Sequence, residues 1–336
     1  MTSANTQARI AVLGAGAVGS YFGGMLARSG VQVTLIGRTA HVEAIRANKL
    51  FLDTVSFQER VAVAASTETS AVRDADVILF CVKTTDTEDA ARSLKPYLAP
   101  NAVVVSLQNG VDNIPRIRAS SGIDPLAAVV YIAAAMPEPG RVKHSGGGSL
   151  AVGEFPDRDR SSRSSASSLS GGADRAERIA ALFTAAGVPC RVSPDIEADL
   201  WSKFVMNCAG NAVTGITQIS YAHLAHSSVT RDIFSQVIAE TVAVGRASGV
   251  KLPEVDFLSQ GLQFLQGVGN DATSSTAQDL ARGKRTEIDS LNGYVVRRGK
   301  ELGIATPASL VLFALVKLLE EKAAEQRRAS SQKAST

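Results

Sequence analysis

Short runs of consecutive apolar residues divide the first third of the chain, and each run has the length of one strand. The first run, Arg9–Leu13, leads into the turn Gly14–Gly19 and then a helix, and Val31–Ile36 follows that helix. Val77–Val82 and Ala102–Leu107 repeat the pattern. Strands that are apolar on both faces are typical of a parallel sheet covered by helices. The pattern therefore predicts an α/β domain, with further helices at His41–Asn48, Thr87–Leu94 and Asn113–Ala119.

The next part of the chain is less regular. Two apolar runs, Val129–Ala133 and Leu150–Phe155, flank the Gly- and Pro-containing stretch Pro137–Ser149, which predicts an edge hairpin or a long returning loop. A helix near Arg175–Ala186 and a short strand near Pro189–Val192 are expected to complete the domain.

Residues 157–173 are polar and rich in serine. Such a segment buries too little apolar surface to offset the entropy lost on ordering. We therefore expect a flexible surface insertion within a first domain that spans residues 1–193.

After Pro194 apolar residues recur at helical spacing almost without interruption. The pattern predicts an all-α second domain over residues 194–322, followed by a disordered tail over residues 323–336. Its helices are expected at Ile196–Thr217, Val229–Ser248, Val255–Leu265, Thr276–Gly283, Ser290–Leu302 and Ala308–Lys322.

Composition narrows the class of protein. The 336 residues exceed the size of one typical core, 45% of them are apolar, and the formal net charge is only +3. A net charge this small is compatible with an anionic small molecule as the ligand and does not indicate a nucleic acid as the partner. No run approaches the ~20 apolar residues of a membrane span, and the first residues lack a signal-peptide core. We expect a soluble cytoplasmic protein without membrane contact.

The cysteines and histidines predict no metal site. Cys81, Cys190 and Cys208 lie far apart, so we expect structural thiols in a reducing compartment. The four histidines show no ligand-like grouping with carboxylates or cysteines. His144 lies between predicted strands, where a structural hydrogen bond is the more common role.

The glycine-rich turn predicts a dinucleotide site, because it follows a strand and opens a helix. Gly14 permits the tight turn, Gly16 lets the backbone approach a pyrophosphate, and Gly19 allows the helix to pack on the strand. The alternatives are a purely structural turn and a methyltransferase, which would use a looser glycine pattern. The predicted cofactor-binding residues here are Gly14, Ala15, Gly16, Ala17, Val18 and Gly19.

The residue at the end of the second strand favours NADP over NAD. NAD-binding proteins place Asp or Glu there to bind the ribose 2′-hydroxyl, whereas this chain has Arg38. A guanidinium can bind a 2′-phosphate through paired, charge-assisted hydrogen bonds. The alternative is an arginine that is merely solvated in a loop.

Three polar residues, Lys203, Asn207 and Asn211, punctuate the helix that opens the second domain. Steps of four place them along one stripe of the helix. Such side chains are costly to bury without partners, so the stripe either faces solvent or lines a polar cleft. In the first domain, Lys83 and Gln108-Asn109-Gly110 follow strands, where open α/β sheets bind ligands.

At this point the chain resembles the ketopantoate reductases (2-dehydropantoate 2-reductases) over roughly residues 9–322. The resemblance implies a Rossmann domain joined to an all-α domain similar to the C-terminal domain of 6-phosphogluconate dehydrogenases, with the active site in the cleft between them. It also implies NADPH-dependent reduction of 2-dehydropantoate to pantoate, a step towards coenzyme A. The motifs that carry it are GAGAVG, CVKT, QNG, HSGGG, WSKFVMNCAGNAVTGIT and TSSTAQDLARGKRTEID.

The resemblance implies a role for each matching residue. Lys203 matches the family's catalytic lysine and Glu287 its active-site glutamate. Lys203 would stabilise the developing alkoxide and donate the proton, and Glu287 would accept a hydrogen bond from a substrate hydroxyl. Substrate binding is expected from Asn109, Asn207, Asn211 and Ser275, and cofactor binding from Arg38, Lys83 and Asn109 in addition to the glycine-rich turn.

Two positions depart from the family pattern. Tyr221 and Ala272 stand where the family often carries asparagines that help to hold substrate. These departures leave open a related NADPH reductase of another small 2-oxo acid. A non-catalytic redox sensor and an opine-type dehydrogenase are further alternatives. The apolar segment Leu310–Leu319 either closes the second domain or forms the seam of a homodimer.

Overall fold

A computed structural model describes residues 8–157, 169–267 and 272–334. The chain divides into two compact units between Asp199 and Leu200, close to the predicted boundary after residue 193. The first unit is an α/β unit and the second is helical. This is the predicted fold class, a Rossmann domain followed by an all-α domain.

The strands and helices carry these labels in chain order. The strands are β1 Arg9–Leu13, β2 Gln32–Ile36, β3 Leu50–Asp53, β4 Gln58–Val61, β5 Ala64–Ser66, β6 Val77–Phe80, β7 Val103–Ser106, β8 Leu126–Glu138, β9 Arg141–Glu154 and β10 Cys190–Val192. The helices are α1 Ala17–Arg28, α2 Thr39–Asn48, α3 Thr87–Leu94, α4 Asn113–Ser121, α5 Leu169–Ala185, α6 Ile196–Thr217, α7 Tyr221–His226, α8 Ser228–Ala247, α9 Phe257–Gly267, α10 Ser275–Ala281, α11 Asn292–Leu302 and α12 Pro307–Ala334.

The described strands form one sheet in the order β4-β3-β9-β8-β7-β6-β1-β2-β5, with β10 paired to β9. Strands β2, β1, β6, β7 and β8 run parallel to their neighbours, while the β3–β4 and β8–β9 pairs are antiparallel. Because β1 lies between β2 and β6, the chain changes direction across the sheet at β1. Ligands of open α/β sheets bind beyond the carboxyl ends of the strands at such a point.

Both faces of the parallel strands are buried, as the continuous apolar runs predicted. On one face Val12, Leu35 and Leu79 pack with Phe22 and Leu26 of α1. The opposite face belongs to a separate cluster, whose members include Leu13, Ile78 and Phe80 of the strands and Ala91, Leu94 and Ile117 of α3 and α4. A strand with no solvent-facing side needs no polar positions, which explains why β1, β6 and β7 read as unbroken apolar runs.

The hairpin prediction for Pro137–Ser149 was partly wrong. Strands β8 and β9 pair along most of their length and turn sharply between Glu138 and Arg141. The hairpin lies in the interior of the sheet, because β3 pairs with the far side of β9. Strands β3, β4 and β5 were not predicted, since they are short and only β3 is mostly buried.

Two predictions of disorder need correction. Residues 169–173 of the expected insertion belong to α5, which begins at Leu169, and residues 158–168 lie outside the described part of the chain. The expected tail 323–336 is helical as far as Ala334, because α12 continues through it. Its composition of Ala, Glu, Gln, Arg and Lys favours helix even though the segment is polar.

The second unit packs its helices around apolar side chains of α6. Trp201 and Phe204 form edge-to-face contacts with each other and with Tyr294 of α11, at centroid distances of 5.3 to 6.0 Å. The large aromatic side chains Trp201, Phe204, Phe234 and Phe257 are all buried. Helix α7 was not predicted, because six residues are too few to show a period.

Candidate active site

The glycine-rich turn has the geometry that each glycine was expected to provide. Gly14 has a φ of +97°, and a Cβ there would lie 2.6 Å from the backbone nitrogen of Val82. A Cβ on Gly19 would lie 2.5 Å from the carbonyl oxygen of Gly14. Either substitution would therefore push the turn away from the sheet. The backbone N–H groups of Gly14 and Ala15 both donate to the Ile36 carbonyl, which ties the turn to β2.

The start of α1 fits a dinucleotide pyrophosphate. A Cβ on Gly16 would meet no atom within 4 Å, so a ligand can approach the backbone there. The first intrahelical bond runs from Ser20 N–H to the Gly16 carbonyl, which leaves the N–H groups of Ala17, Val18 and Gly19 without an intrahelical acceptor. The first turn contains no acidic residue. Free N–H groups and the helix dipole together favour an anion.

Arg38 lies in the turn between β2 and α2. It follows the last residues of β2 and occupies the N-cap position of α2, with an exposed side chain. The preceding residue, Gly37, donates its N–H to the Ser66 carbonyl at 3.0 Å, which anchors the β2–α2 turn to β5.

Lys83 follows β6, the neighbour of β1, and Asn109 follows β7, the neighbour of β6. Both side chains are partly exposed. A buried polar network joins the two loops that carry them. The Gln108 amide donates to the Val82 carbonyl at 3.1 Å and to the Thr87 hydroxyl at 2.8 Å. Asn113 donates to the Asn109 carbonyl at 2.6 Å.

Gln108 therefore has a structural role in this network. It is 7% exposed, and its amide oxygen accepts a hydrogen bond from Ser106 at 3.0 Å. Sequence reasoning placed Gln108 beside Asn109 at the ligand edge but could not separate their roles. The distinction depends on burial, since the polar residue that ends a strand can point into the sheet or out of it.

Lys203 and Glu287 are brought together in the second unit. Desolvation lowers the pKa of Lys203 to about 8, and the nearby carboxylate of Glu287 opposes this by raising it. At pH 7 about nine-tenths of the lysine is therefore still protonated. A charged amine with a pKa near neutrality can donate a proton and recover it quickly.

The loop that carries Glu287 is anchored to α12. The carboxylate of Glu320 accepts from the backbone N–H of Thr286 at 2.7 Å and from its hydroxyl at 2.6 Å. Lys317 donates to both Asp289 and Glu320, at 3.0 and 2.9 Å. These bonds hold the segment on either side of Glu287. Sequence reasoning missed these bonds, because about 30 residues separate the partners.

The polar stripe of α6 goes from partly exposed to buried along the helix. Lys203 and Asn207 are partly exposed, whereas Asn211 is 6% exposed. The Asn211 amide oxygen accepts a hydrogen bond from the Tyr221 hydroxyl at 3.1 Å. Tyr221 also donates its backbone N–H to the Ala272 carbonyl at 2.9 Å, so the two positions that depart from the family pattern contact each other.

Ser275 is the exposed first residue of α10, and its neighbour Ser274 is buried. The Ser274 hydroxyl caps α10 by accepting from Ala277 N–H at 3.0 Å, and it accepts from the Thr214 hydroxyl at 2.6 Å. From two adjacent serines alone, the capping residue could not be told from the exposed one.

His144 and the cysteines have structural surroundings. The His144 ring stacks on Tyr21 at 4.6 Å and its Nε2 lies 3.1 Å from the Gly147 carbonyl, which supports the structural interpretation. Burial raises the pKa of the Cys81, Cys190 and Cys208 thiols, which makes them poor nucleophiles. Among the described residues no cluster of three or more His, Cys, Asp or Glu is suited to a metal ion. No helix in the described ranges is long and apolar enough to cross a membrane.

A glycine-rich turn on a Rossmann sheet, together with a lysine–glutamate pair on a helical unit, defines a nicotinamide-dinucleotide-dependent oxidoreductase. The chain belongs to the ketopantoate reductase PanE/ApbA family, whose model matches residues 10–157, and whose C-terminal model matches residues 195–320. The chain is an oxidoreductase of this family.

Individual relatives support the assignment over nearly the full chain. The 2-dehydropantoate 2-reductase of Pyrococcus horikoshii is 30% identical over 314 residues, covering 93% of this chain and 97% of that protein. The crystal structure of a PanE/ApbA family ketopantoate reductase from Ralstonia eutropha JMP134 is 48% identical, with a TM-score of 0.82 over 94% of this chain and 99% of that chain. A D-mandelate dehydrogenase solved with NADH and anilino(oxo)acetate shares the fold at 24% identity, with a TM-score of 0.82 over 94% and 99% of the two chains.

Proposed function

We propose that the protein reduces 2-dehydropantoate to pantoate with NADPH and that Lys203 is the general acid. The observation that carries the proposal is the Lys203–Glu287 pair, in which a partly exposed but desolvated lysine keeps a pKa of about 8 beside a carboxylate. The name of the Pyrococcus horikoshii relative supports the substrate.

The first unit supplies the residues that would hold the dinucleotide. The N–H groups of Ala17, Val18 and Gly19 would bind the pyrophosphate, and the backbone at Gly16 would allow its close approach. Arg38 would bind the 2′-phosphate, and Lys83 and Asn109 would lie towards the nicotinamide end of the site. When bound, NADPH supplies a hydride for the C2 ketone of the substrate.

The second unit supplies the proton and the substrate contacts. Negative charge grows on the ketone oxygen as the hydride is added, and the Lys203 ammonium stabilises this charge and donates its proton to the oxygen. Glu287 keeps Lys203 protonated and accepts a hydrogen bond from the substrate hydroxyl. Asn207, Asn211 and Ser275 would bind the rest of the substrate.

A second candidate function is the NADPH-dependent reduction of another small 2-oxo acid. The contact between Tyr221 and Ala272 favours it, since a phenol and a methyl group replace two amides where substrate is held in the family. A redox sensor would have no need of a proton donor, so the Lys203–Glu287 pair argues against that reading. An opine-type dehydrogenase would require an amine as co-substrate.

The test is a steady-state assay of NADPH oxidation with 2-dehydropantoate and with a panel of other 2-oxo acids, with and without added amines. We expect the highest kcat/KM with 2-dehydropantoate and no stimulation by amines. Lys203→Ala should lower kcat by about 10²- to 10⁴-fold while NADPH still binds, as measured by its fluorescence. Lys300→Ala, which removes an exposed lysine of α11, is the matched control. Near-normal turnover by Lys203→Ala would refute the assigned acid.

A further inference from the structure

One buried hydroxyl fixes the backbone on both sides of Glu287. Thr286 is fully buried, and its hydroxyl accepts the Ile288 N–H at 3.2 Å while it donates to Glu320 at 2.6 Å. The Glu287 carbonyl accepts the Ser290 N–H at 2.9 Å, so the loop also closes on its far side. These bonds set the direction in which the Glu287 side chain leaves the loop.

Charged side chains hold that hydroxyl in place from α12. One carboxylate oxygen of Glu320 accepts both the hydroxyl and the backbone N–H of Thr286, and the other accepts from Lys317 at 2.9 Å. Lys317 also donates to Asp289 at 3.0 Å, and the Arg285 guanidinium lies 3.5 Å from the same Asp289 carboxylate. The Glu320 side chain is only 9% exposed, and both of its oxygens are bonded to the protein. Helix α12 therefore fixes where Thr286 lies.

The position of the Glu287 carboxylate matters because it is the charge that raises the pKa of Lys203 against desolvation. The attraction between two charges weakens as their separation grows. The Thr286 side chain carries no charge of its own. Removing its hydroxyl therefore acts on Lys203 only through the place that Glu287 takes, while the charges of Arg285, Lys317 and Glu320 remain.

We propose that Thr286 and Glu320 are positioning residues, through which α12 fixes the Glu287 carboxylate beside Lys203. Neither residue is assigned a contact with substrate or cofactor, and both act through Glu287. When the hydroxyl is lost, the loop is held less firmly and the carboxylate moves away from the ammonium, so Lys203 gives up its proton at a lower pH. The inference rests on the proposed function, in which Lys203 is the general acid.

The test compares Thr286→Ala with Thr286→Ser, since only the serine variant keeps the hydroxyl. The measurement is kcat with saturating NADPH and 2-dehydropantoate between pH 6 and 10. A carboxylate that moves about 1 Å further from an ammonium should move the upper limb down by about half a pH unit. For Thr286→Ala this is a loss of about threefold at pH 8.5 and almost none at pH 6.5. Thr286→Ser should keep the wild-type limb, as should Thr241→Ala, which alters another fully buried threonine of the second unit.

A second comparison shows whether Thr286 acts through Glu287. In a Glu287→Gln background, Thr286→Ala should move the limb no further, because the charge that it displaces is gone. A shift that persists in that background would overturn the inference. So would an unchanged limb in folded Thr286→Ala, and both results leave the proposed function intact. A purely structural role would lower the melting temperature and reduce kcat by the same factor at every pH.

If Thr286→Ala does not fold, Lys317→Met decides, because Lys317 is partly exposed and holds both Glu320 and Asp289. Loss of its positive charge alone would move the limb up, so a limb that moves down supports the inference, and one that rises or stays overturns it. A wild-type chain that oxidises NADPH with no 2-oxo acid would instead overturn the proposed function, and the inference with it.

Discussion

Single residues in the second unit carry the chemistry that we propose. Lys203 is desolvated, which lowers its pKa to about 8, and the Glu287 carboxylate limits that fall. The balance keeps the side chain protonated at pH 7 while leaving it easier to deprotonate than a lysine in water. The reduction needs the protonated form, so its rate should decline as the pH rises through about 8.

Replacing Glu287 tests this balance directly. Glu287→Gln removes the charge that raises the pKa of Lys203, so the upper limb of the pH profile of kcat should move below pH 8. The measurement is kcat with saturating NADPH and substrate between pH 6 and 10 in buffers of constant ionic strength. Glu321→Gln, an exposed glutamate of α12, should leave the profile in place. An upper limb that stays near pH 8 in Glu287→Gln would show that the glutamate does not act on the lysine.

Arg38 offers a second residue-scale prediction. Its exposed guanidinium at the end of β2 is the group that we propose to bind a 2′-phosphate, which NADH lacks. Arg38→Glu should therefore raise the KM for NADPH by about 10- to 100-fold. The variant loses the charge-assisted hydrogen bond, and its new carboxylate repels the 2′-phosphate. The KM for NADH should change much less. Arg178→Glu, in the exposed part of α5, is the control, and an equal effect on both dinucleotides would contradict the assignment.

At the scale of elements, buried polar side chains join helices and strands that lie far apart in sequence. His41 of α2 is 5% exposed, and its Nε2 lies 3.0 Å from the Ser20 hydroxyl of α1. Its Nδ1 accepts the Gly140 N–H from the β8–β9 turn at 2.9 Å. An acceptor at Nδ1 requires a neutral ring, so the hydrogen bond from Gly140 to His41 forms only while His41 is unprotonated.

The buried hydrogen bonds of His41 predict how the free energy of unfolding depends on pH. Burial lowers the pKa of folded His41, so the unfolded chain takes up its proton first. The contribution of His41 to the free energy of unfolding is complete above the unfolded pKa of about 6.5. It is lost as the pH falls from there towards the lower pKa of the folded state. Urea unfolding between pH 7.5 and 5.5 should show the loss, and His41→Gln should flatten the slope. His223→Gln, at an exposed position, should keep the wild-type slope.

Glu240 of α8 caps the start of α12. Its buried carboxylate accepts the backbone N–H groups of Ala308 and Ser309 at 2.8 and 2.9 Å and the Ser309 hydroxyl at 2.6 Å. Glu240→Gln removes the charge opposite the helix dipole and one acceptor, so the free energy of unfolding should fall by about 1.5–3 kcal/mol. Denaturant titration measures this, with Glu325→Gln on the exposed part of α12 as the control. A loss below about 0.5 kcal/mol would argue against the cap.

At the scale of the whole molecule, the sequence left open whether the apolar segment Leu310–Leu319 of α12 closes the second unit or forms the seam of a homodimer. Its Leu312 and Val316 are buried and close the second unit, while Leu310, Val311, Leu315 and Leu318 are 42–59% exposed. Four large apolar side chains on one face of a helix are costly to leave in water. A homodimer therefore remains a prediction, with this face packed against a second copy. Leu315→Asp combined with Leu318→Asp should shift the wild-type dimer to monomer in sedimentation velocity, and a monomeric wild type would refute the prediction.

The sequence by itself determined the class of fold and the order of its main strands and helices. Unbroken apolar runs at β1, β6 and β7 specify a buried parallel sheet, because burial on two faces permits few residue types. The glycines of the turn specify the ligand edge of that sheet, because a φ of +97° at Gly14 permits few residues other than glycine. Helix α6 was predicted with its full bounds, since 22 residues give a clear period.

Only the tertiary structure decided which polar residues share a site. Several contacts join distant parts of the chain. They are the pairing of β3 with β9, the network at Gln108, the anchoring of the Glu287 loop by Glu320, and the hydrogen bond from Tyr221 to Asn211. Local patterns specify what a residue can donate or accept. Which partner it meets depends on packing between elements, and no short stretch of sequence contains that information.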